Sequence, residues 1–240
     1  MAKKAYVIEK EILKKFMYNE ELSYNEIWDK SLCSSSNFDY HLKKLLDKNL
    51  LTKKGNKYTL NANGIELISS VDGSTLKNNK KPIPCAFVLV KNNEGKILLS
   101  IRKKQPYFNV LGILGGKIEF GETSKECALR ELKEETGIEC DIELKVISEI
   151  ITYNLDENNK VEHNIIGFFF LGENPRGKLI KKNREGENIW VSPNDIKKYE
   201  KFPDLDYIYP ILLKNEELRF VRLKRYRKKG KFKNCEIEKK

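Results

Sequence analysis

Residues 115–138 read GGKIEFGETSKECALRELKEETGI, and this segment constrains the fold more than any other part of the chain. Its glycines predict a loop, and Thr123 or Ser124 is placed to cap the helix that follows. Gly137 can end that helix in a left-handed conformation. The apolar residues that would anchor the helix on a sheet are Ala128, Leu129 and Leu132. The segment therefore predicts a loop and a helix packed on a β-sheet.

The same segment carries six glutamates in a chain whose net charge is +11. Glu131, Glu134 and Glu135 stand at the spacing i, i+3 and i+4, so their carboxylates share one helix face. Such carboxylates repel one another unless a cation neutralises them, and hard oxygen ligands suit Mg²⁺ or Mn²⁺. Arg130, four residues before Glu134, can hold that carboxylate through a charge-assisted hydrogen bond. The alternative interpretation is a solvated, charged helix face.

The spacing of Gly116, Glu122 and residues 130–138 is that of the Nudix box. From about residue 83 to about residue 215 the chain therefore resembles a Nudix hydrolase. The resemblance implies an α/β/α sandwich with a mixed sheet. It also implies hydrolysis of a nucleoside diphosphate linked to another group, by attack of water at phosphorus, with Mg²⁺ (or Mn²⁺) as the cofactor.

The resemblance also implies which residues would do this work. The expected metal ligands are the Gly115 carbonyl, Glu122, Glu131, Glu134 and Glu135. The expected catalytic residues are Arg130, Glu134 and Glu185. Glu185 lies in the segment KKNREGENIWVSP before a late strand, where a general base often stands, and Glu187 is the second choice. Leu114 departs from the family pattern, because many members have proline at this position.

Three aromatic residues are candidates for stacking on the base of a substrate: Tyr107, Phe108 and Tyr153. Each is equally well interpreted as a core or rim residue. His163 is expected at a polar strand end. The residues therefore favour a nucleoside-diphosphate-linked substrate without identifying its base, sugar or leaving group.

The first 71 residues show a different pattern, of helices followed by a hairpin. Helical spacing covers 5–18, with Val7, Ile8, Ile12, Leu13 and Phe16 apolar, and 38–50, with Phe38, Leu42, Leu45 and Leu46 on one face. Ser23 and Glu26 fit a capping box. A turn within LLTKKGNKYTL predicts a hairpin, and a short helix follows at 61–70. This order resembles a winged helix-turn-helix domain, so we expect an α+β chain with that domain first.

A winged helix implies a DNA partner, although such domains also dock proteins. The candidate DNA contacts on the reading helix and the wing are Ser35, Ser36, Asn37, Tyr40, Lys44, Lys53, Lys54 and Lys57. Useful affinity would require two copies, so we expect a homodimer. The alternative function is a transcription regulator whose Nudix domain senses a nucleotide effector.

The remaining boundaries follow from composition and β-type patterns. We expect domains at 1–71 (winged helix-turn-helix) and 83–215 (Nudix), a linker at 72–82, and a basic hairpin or tail at 216–240. The expected elements of the second half are a hairpin formed by 85–92 and 96–102, strands at 139–152, 161–172 and 176–191, and helices near 193–200 and 204–215. Arg222, Lys224 and Arg227 would form a cationic row on the C-terminal hairpin, either solvated or in contact with phosphates.

Composition limits the setting of the protein. No apolar stretch approaches the roughly 20 residues of a membrane helix, and the N-terminus lacks the apolar core of a signal peptide. We therefore expect a cytoplasmic protein that does not enter a membrane. The five cysteines are scattered and form no CxxC pair, so reduced thiols are expected.

Overall fold

The chain divides into two units, Met1–Lys80 and Lys81–Lys240. The computed structural model describes residues 2–69, 81–214 and 217–238. Most of the linker expected at 72–82 lies outside these ranges. From the sequence we expected residues 216–240 to form a separate basic hairpin or tail. They belong with the second unit.

The first unit combines helices with three short strands in its described residues. Its elements are α1 (Ala2–Phe16), β1 (Glu21–Ser23), α2 (Tyr24–Ile27), α3 (Ser35–Asp47), β2 (Leu51–Lys54), β3 (Lys57–Leu60) and α4 (Ala62–Ser69). The three strands form an antiparallel sheet in the order β1-β3-β2. The expected hairpin and short helix are confirmed.

Apolar faces of the first unit meet in one core. Its buried residues are Ile8, Ile12, Leu13, Phe16, Leu22, Ile27, Phe38, Leu42, Leu45, Leu51 and Tyr58. Val7, expected on the apolar face of α1, is half exposed instead. The helix predicted from Phe38 begins earlier, at Ser35, because Ser34 has the extended conformation of an N-cap residue. The capping box before α2 is confirmed, since the Ser23 amide and hydroxyl donate to the Glu26 carboxylate at 2.7 and 2.6 Å.

The second unit is built around one large sheet. Its strands are β4 (Ile83–Lys91), β5 (Ile97–Arg102), β6 (Leu111–Gly112), β7 (Leu114–Lys117), β8 (Glu139–Asn154), β9 (Lys160–Arg176), β10 (Gly186–Val191), β11 (Arg219–Lys228) and β12 (Lys231–Glu238). Its helices are α5 (Ser124–Thr136) and α6 (Leu205–Leu213), with 3-10 turns at Leu155–Glu157 and Pro193–Lys198.

The sheet is mixed and has helices on both faces. Its strand order is β10-β5-β4-β9-β8-β11-β12, with β6 on β5 and β7 on β4. The β4–β9 and β8–β11 pairs are parallel and the others antiparallel. Side chains alternate along β4, so Val88 and Val90 pack with α5 while Leu89 packs in the core that contains α6. The mixed α/β layering expected from the resemblance is confirmed.

Helix α5 is anchored as its sequence predicts, with one change. Thr123 is the cap: its hydroxyl accepts from the Glu126 amide at 3.2 Å, and Glu126 accepts from the Thr123 amide at 2.8 Å. Gly137 ends the helix with φ of 70°. Leu129 is half-buried, and Cys127 joins the fully buried Ala128 and Leu132 in the core.

One expectation for the late elements is wrong, while the expected C-terminal hairpin is confirmed. The strand expected at 176–191 begins only at Gly186, because Gly177 (φ 103°) turns the chain into a loop. The cationic row of the C-terminal hairpin is paired within the unit. Its pairs are Arg222 with Glu149 at 2.8 Å, Lys224 with Glu238 at 2.5 Å and Arg227 with Glu162 at 2.6 Å.

Candidate active site

A cleft of about 1120 Å³ opens in the second unit, and the Nudix-box residues form one end of it. Gly115, Glu131, Glu134 and Glu135 line this end, and the loop before β10 adds Glu185. Strand β7 and helix α5 bring the first four together because both pack on β4. The structure thus gathers the predicted metal-site residues, except Glu122, along one wall.

The two glycines of the box allow a close approach of α5 to β7. Any side chain at Gly116 would overlap the carboxylate of Glu131. Gly115 has φ of 151°, and a side chain there would overlap the Ala86 carbonyl. Many proteins with this box have proline where this chain has Leu114. Leu114 is buried in β7 and pairs with Val88, so its side chain packs in the core of the sheet.

Arg130 connects the acidic residues, although its main partner differs from the expected one. Its Nε and Nη2 donate to the two oxygens of Glu122 at 2.7 and 3.0 Å, and Nη1 donates to Glu131 at 2.9 Å. The expected bond to Glu134 is the longest of these, at 3.4 Å. Because the loop brings Glu122 face-on to the guanidinium, the planar fork binds it in the bidentate manner that arginine favours.

Glu122 is consequently held as part of the scaffold. The bonds from Arg130 and from the Glu119 amide (3.0 Å) hold the pKa of Glu122 at about 2. Glu122 is not one of the described residues that line the cleft. A ligand role for Glu122 therefore stays a prediction, whereas its pairing with Arg130 is observed.

The pKa of Glu135 is shifted in the opposite direction to that of Glu122. Burial, followed by the negative charges of Glu131 and Glu185, raises the pKa of Glu135 to about 7. Glu134, on the same helix face, is largely exposed. The repulsion anticipated for this face is therefore concentrated on one half-buried carboxyl group.

The donors at this end suit a hard divalent cation in their chemistry. Among the described residues, no three His, Cys, Asp or Glu side chains already converge on one point as a metal cage. However, Mg²⁺ commonly uses only one or two protein carboxylates and completes its shell with water and phosphate. Glu131, Glu135 and the Gly115 carbonyl supply such oxygens, and added positive charge would relieve the repulsion at Glu135. The residues fit a divalent metal.

The loop before β10 is tied to the end of α5 by two asparagines that the sequence analysis missed. Asn183 and Asn188 both donate to the Glu135 carbonyl, at 2.6 and 2.8 Å. Asn183 also accepts from the Glu185 amide at 2.8 Å, which places Glu185 beside the Glu135 side chain. Asparagine often bonds to the backbone two residues further along the chain. The sequence Asn-Arg-Glu-Gly could therefore have indicated that Asn183 holds the Glu185 amide.

Glu185 itself forms an ion pair with Lys104 across the cleft mouth. That hydrogen bond is the main reason why the pKa of Glu185 lies below its ordinary value. Glu187, the second choice for a base, lies on β10, outside the cleft lining, and pairs with Lys182 at 3.5 Å. Of the two glutamates, the geometry favours Glu185 as the group that meets a substrate.

The three aromatic candidates separate in the structure. Tyr107 lines the cleft, with its ring 5.4 Å from that of Phe202 and 5.7 Å from that of His163. Phe108 is half exposed outside the cleft lining. Tyr153 also lies outside it, because its ring stacks on Tyr226 at 5.6 Å. Of these three candidates, Tyr107 alone is placed to contact a substrate in this cleft.

The candidate DNA contacts in the first unit fall into two groups. Ser35, Ser36, Asn37 and Tyr40 on α3, and Lys53 and Lys54 on the hairpin, are exposed. Lys44 instead pairs with the buried Glu9 at 2.7 Å, and Lys57 pairs with Glu26 at 3.3 Å. The two paired lysines contribute to the unit's own structure, which the helical pattern alone did not reveal.

No helix in the described part of the chain is both long enough and apolar enough to cross a membrane.

The second unit thus has a mixed sheet between helices and a glutamate-bearing helix facing a cleft, and this combination defines a Nudix hydrolase domain. The family model for the NUDIX domain matches residues 81–212, more than half of the chain. The chain therefore belongs to the Nudix family.

Curated relatives and solved structures agree with this family. The chain is 27% identical over 104 residues to the uncharacterized Nudix hydrolase YvcI of Bacillus subtilis, covering 43% of this chain and 65% of that one. It is 32% identical over 109 residues to a putative 8-oxo-dGTP diphosphatase of the same organism, covering 45% and 65%. The chain thus spans about 65% of the length of these relatives. A MutT protein from Bacillus halodurans has the same fold, with a TM-score of 0.53 and 21% identity over 65% of this chain and 97% of that one.

Proposed function

We propose that the second unit is a metal-dependent pyrophosphohydrolase that cleaves a nucleoside diphosphate linked to another group. The observation that carries this proposal is the acidic end of the cleft, where burial together with the charges of Glu131 and Glu185 raises the pKa of Glu135 to about 7. Repulsion of this kind costs stability unless a ligand relieves it. A divalent cation and the phosphates that it binds are such a ligand.

The residues divide the work as follows. Glu131, Glu135, Glu134 and the Gly115 carbonyl would hold Mg²⁺ or Mn²⁺, which when bound lowers the pKa of water and offsets phosphate charge. Glu185 would accept the proton of the attacking water, and Asn183 fixes the loop that carries it. Lys104, paired with Glu185 in the free protein, is placed to turn to a substrate phosphate. Arg130 positions Glu131 and Glu122 without contacting the substrate.

A substrate panel tests this proposal directly. Relatives named as a putative 8-oxo-dGTP diphosphatase and an ADP-ribose pyrophosphatase suggest the compounds to try. ADP-ribose, dinucleoside polyphosphates, NADH, nucleotide sugars and oxidised nucleoside triphosphates would be assayed with Mg²⁺ and with Mn²⁺. Hydrolysis of at least one supports the proposal, whereas inactivity on all favours a domain that only senses a nucleotide.

Metal affinity is expected to fall as the pH decreases through about 7. The pKa of Glu135 is raised above its ordinary value, so below pH 7 the carboxyl holds a proton that a metal must displace. Mn²⁺ titrations followed by electron paramagnetic resonance should show affinity declining towards about 10-fold per pH unit below this point. The Glu135→Gln protein should bind more weakly and with a flatter pH profile. Constant affinity between pH 6 and 8 in the wild type would contradict a ligand role for Glu135.

We also propose that residues 2–69 form a winged helix-turn-helix that binds duplex DNA. Supporting features are the order of helices and hairpin, the exposed polar residues at the start of α3, and the exposed Lys53 and Lys54 on the hairpin. In a homodimer the two α3 helices would lie about one helical turn of DNA apart. Nucleotide at the second unit would change DNA affinity only if it favoured one conformational state.

Replacing Lys53 and Lys54 together by Ala is expected to weaken DNA binding by the full chain. Loss of two phosphate contacts should make the negative slope of log affinity against log salt concentration shallower by about 2. Lys14→Ala is the control, because Lys14 pairs with Glu11 on α1 and is not one of the candidate DNA contacts. Fluorescence anisotropy over a salt series provides the measurement. If the wild type fails to bind duplex at low salt, the first unit is instead a docking or dimerisation module.

A further inference from the structure

The cleft lining outside the Nudix box includes a buried ion pair. Asp204 precedes α6, Arg225 lies on β11, and both line the cleft. They are 5% and 6% exposed, and Arg225 Nη2 donates to Asp204 Oδ2 at 2.6 Å. Neither residue belongs to the metal end described above.

Each partner retains one buried hydrogen-bonding atom without a partner. Within the described residues, Asp204 Oδ1 and Arg225 Nε are both buried and make no hydrogen bond. Buried polar atoms in native proteins are nearly always paired, so two such atoms in one ion pair of the cleft lining favour a ligand that pairs with them. The free atom on Asp204 is an acceptor, and the free atom on Arg225 is a donor.

The surroundings favour a flat, neutral group. The Phe202 ring lies 5.0 Å from the Arg225 guanidinium and 5.4 Å from the Tyr107 ring. Phe87 and Phe169, stacked at 4.6 Å, add apolar wall. A phosphate is excluded here, because Asp204 already neutralises Arg225 and its free oxygen would repel an anion. Aromatic walls with one acceptor and one donor suit a heterocyclic base.

We propose that Asp204 and Arg225 read the edge of a nucleobase and so determine specificity. Asp204 Oδ1 accepts from a ring or exocyclic N–H of the base, and Arg225 Nε donates to the neighbouring oxygen or nitrogen. The ligand class is a nucleotide whose base presents such a donor beside an acceptor. This proposal deepens the proposed function and rests on it for the position of the phosphates. Arg225 lies beyond residues 81–212, so the C-terminal hairpin provides a part of the site that the family match does not cover.

Binding of nucleoside monophosphates tests the proposal without requiring hydrolysis. Adenosine and inosine monophosphates both present a donor beside an acceptor, whereas purine riboside monophosphate lacks the donor. In calorimetric titrations of the full chain, adenosine or inosine monophosphate should bind with an affinity at least about 10-fold above that of purine riboside monophosphate. This ratio corresponds to the free energy of one hydrogen bond to a charged group. Equal affinities for all three, or no binding of any, would overturn the proposal.

The Asp204→Asn variant should lose this preference. The amide oxygen can still accept from Arg225, but an NH₂ donor replaces the free acceptor. Glu149→Gln is the control, because it removes a carboxylate on β8 from an exposed ion pair with Arg222 of the neighbouring strand β11 and should keep the preference. If Asp204→Asn unfolds, the double variant D204N/R225Q leaves no unpaired buried charge and should also lose it. A preference retained by the folded variant would refute the assignment even if the protein hydrolyses a substrate of the panel.

Discussion

Replacement of Glu135 by Gln is expected to lower kcat/KM for hydrolysis by about 100- to 1000-fold, the usual cost of removing a group that stabilises transition-state charge. The amide keeps the shape of the side chain but loses the negative charge that a cation requires. Steady-state assays on an active member of the panel, with saturating Mg²⁺, give the comparison. Rates within a few-fold of wild type would show that Glu135 does not hold the metal.

The same substitution should stabilise the metal-free protein. The folded pKa of about 7 lies above the ordinary carboxyl value, so the native state holds this proton more tightly than the unfolded state. The contribution of Glu135 to the stability of the metal-free wild type therefore decreases as the pH rises from about 4.5 to 7, by at most on the order of 3 kcal/mol. Glutamine removes this loss, so at pH 8 its free energy of unfolding in urea should exceed that of wild type. Mg²⁺ should narrow the difference in the free energy of unfolding, because it binds the wild type more tightly and therefore stabilises it more.

Glu126→Gln provides a matched control for both measurements. It removes one negative charge from the same helix, and glutamine can still complete the capping box with Thr123. Its activity should equal that of wild type. A comparable loss in this control would mean that helix charge in general, and not the position of Glu135, determines activity.

Replacement of Arg130 by Lys is expected to lower kcat/KM by about 10- to 100-fold, as is usual for residues that hold metal ligands in place. Lysine keeps the charge but cannot bind Glu122 through two parallel bonds and reach Glu131 as well. The loop that carries Glu122 and the side chain of Glu131, the proposed metal ligand, should both lose their fixed positions. Because Arg130 acts through these residues, metal affinity should fall together with kcat.

Arg176→Lys is the comparison for this second substitution. Arg176, at the end of β9, pairs with Asp141 near the start of β8, and both side chains are exposed and outside the cleft lining. Exposed pairs contribute little, so stability and activity should stay near wild type. If Arg130→Lys behaves in the same way, the network around Arg130 has no part in the reaction.

Local features of the box were predictable from sequence because their causes are local. Thr123, Gly137 and the shared face of Glu131 and Glu135 follow from helix geometry and capping within one segment. The cores of both units likewise follow from apolar spacing, with exceptions such as Val7 at the edge of a face.

Features that depend on contacts far apart in sequence were missed or misassigned. The choice of Glu122 over Glu134 as main partner of Arg130 depends on how the preceding loop folds back. The bonds from Asn183 and Asn188 to the Glu135 carbonyl span about fifty residues. The row of Arg222, Lys224 and Arg227 looked free because their partners lie on other strands or on the return strand of the hairpin. Spacing within a segment cannot show which distant carboxylate meets a cation.

The parallel pairing of β11 with β8 has a consequence for synthesis on the ribosome. Residues 219–227 supply the outer neighbour of residues 146–154, so a strand made early waits for one made about seventy residues later. Until then the outer edge of β8 has free backbone amides and carbonyls, the kind of edge on which chains aggregate. The first unit has all its strand partners within its own range and can fold while the rest is translated. A nascent chain arrested shortly before Arg219 should therefore carry a folded first unit and a second unit that is prone to self-association.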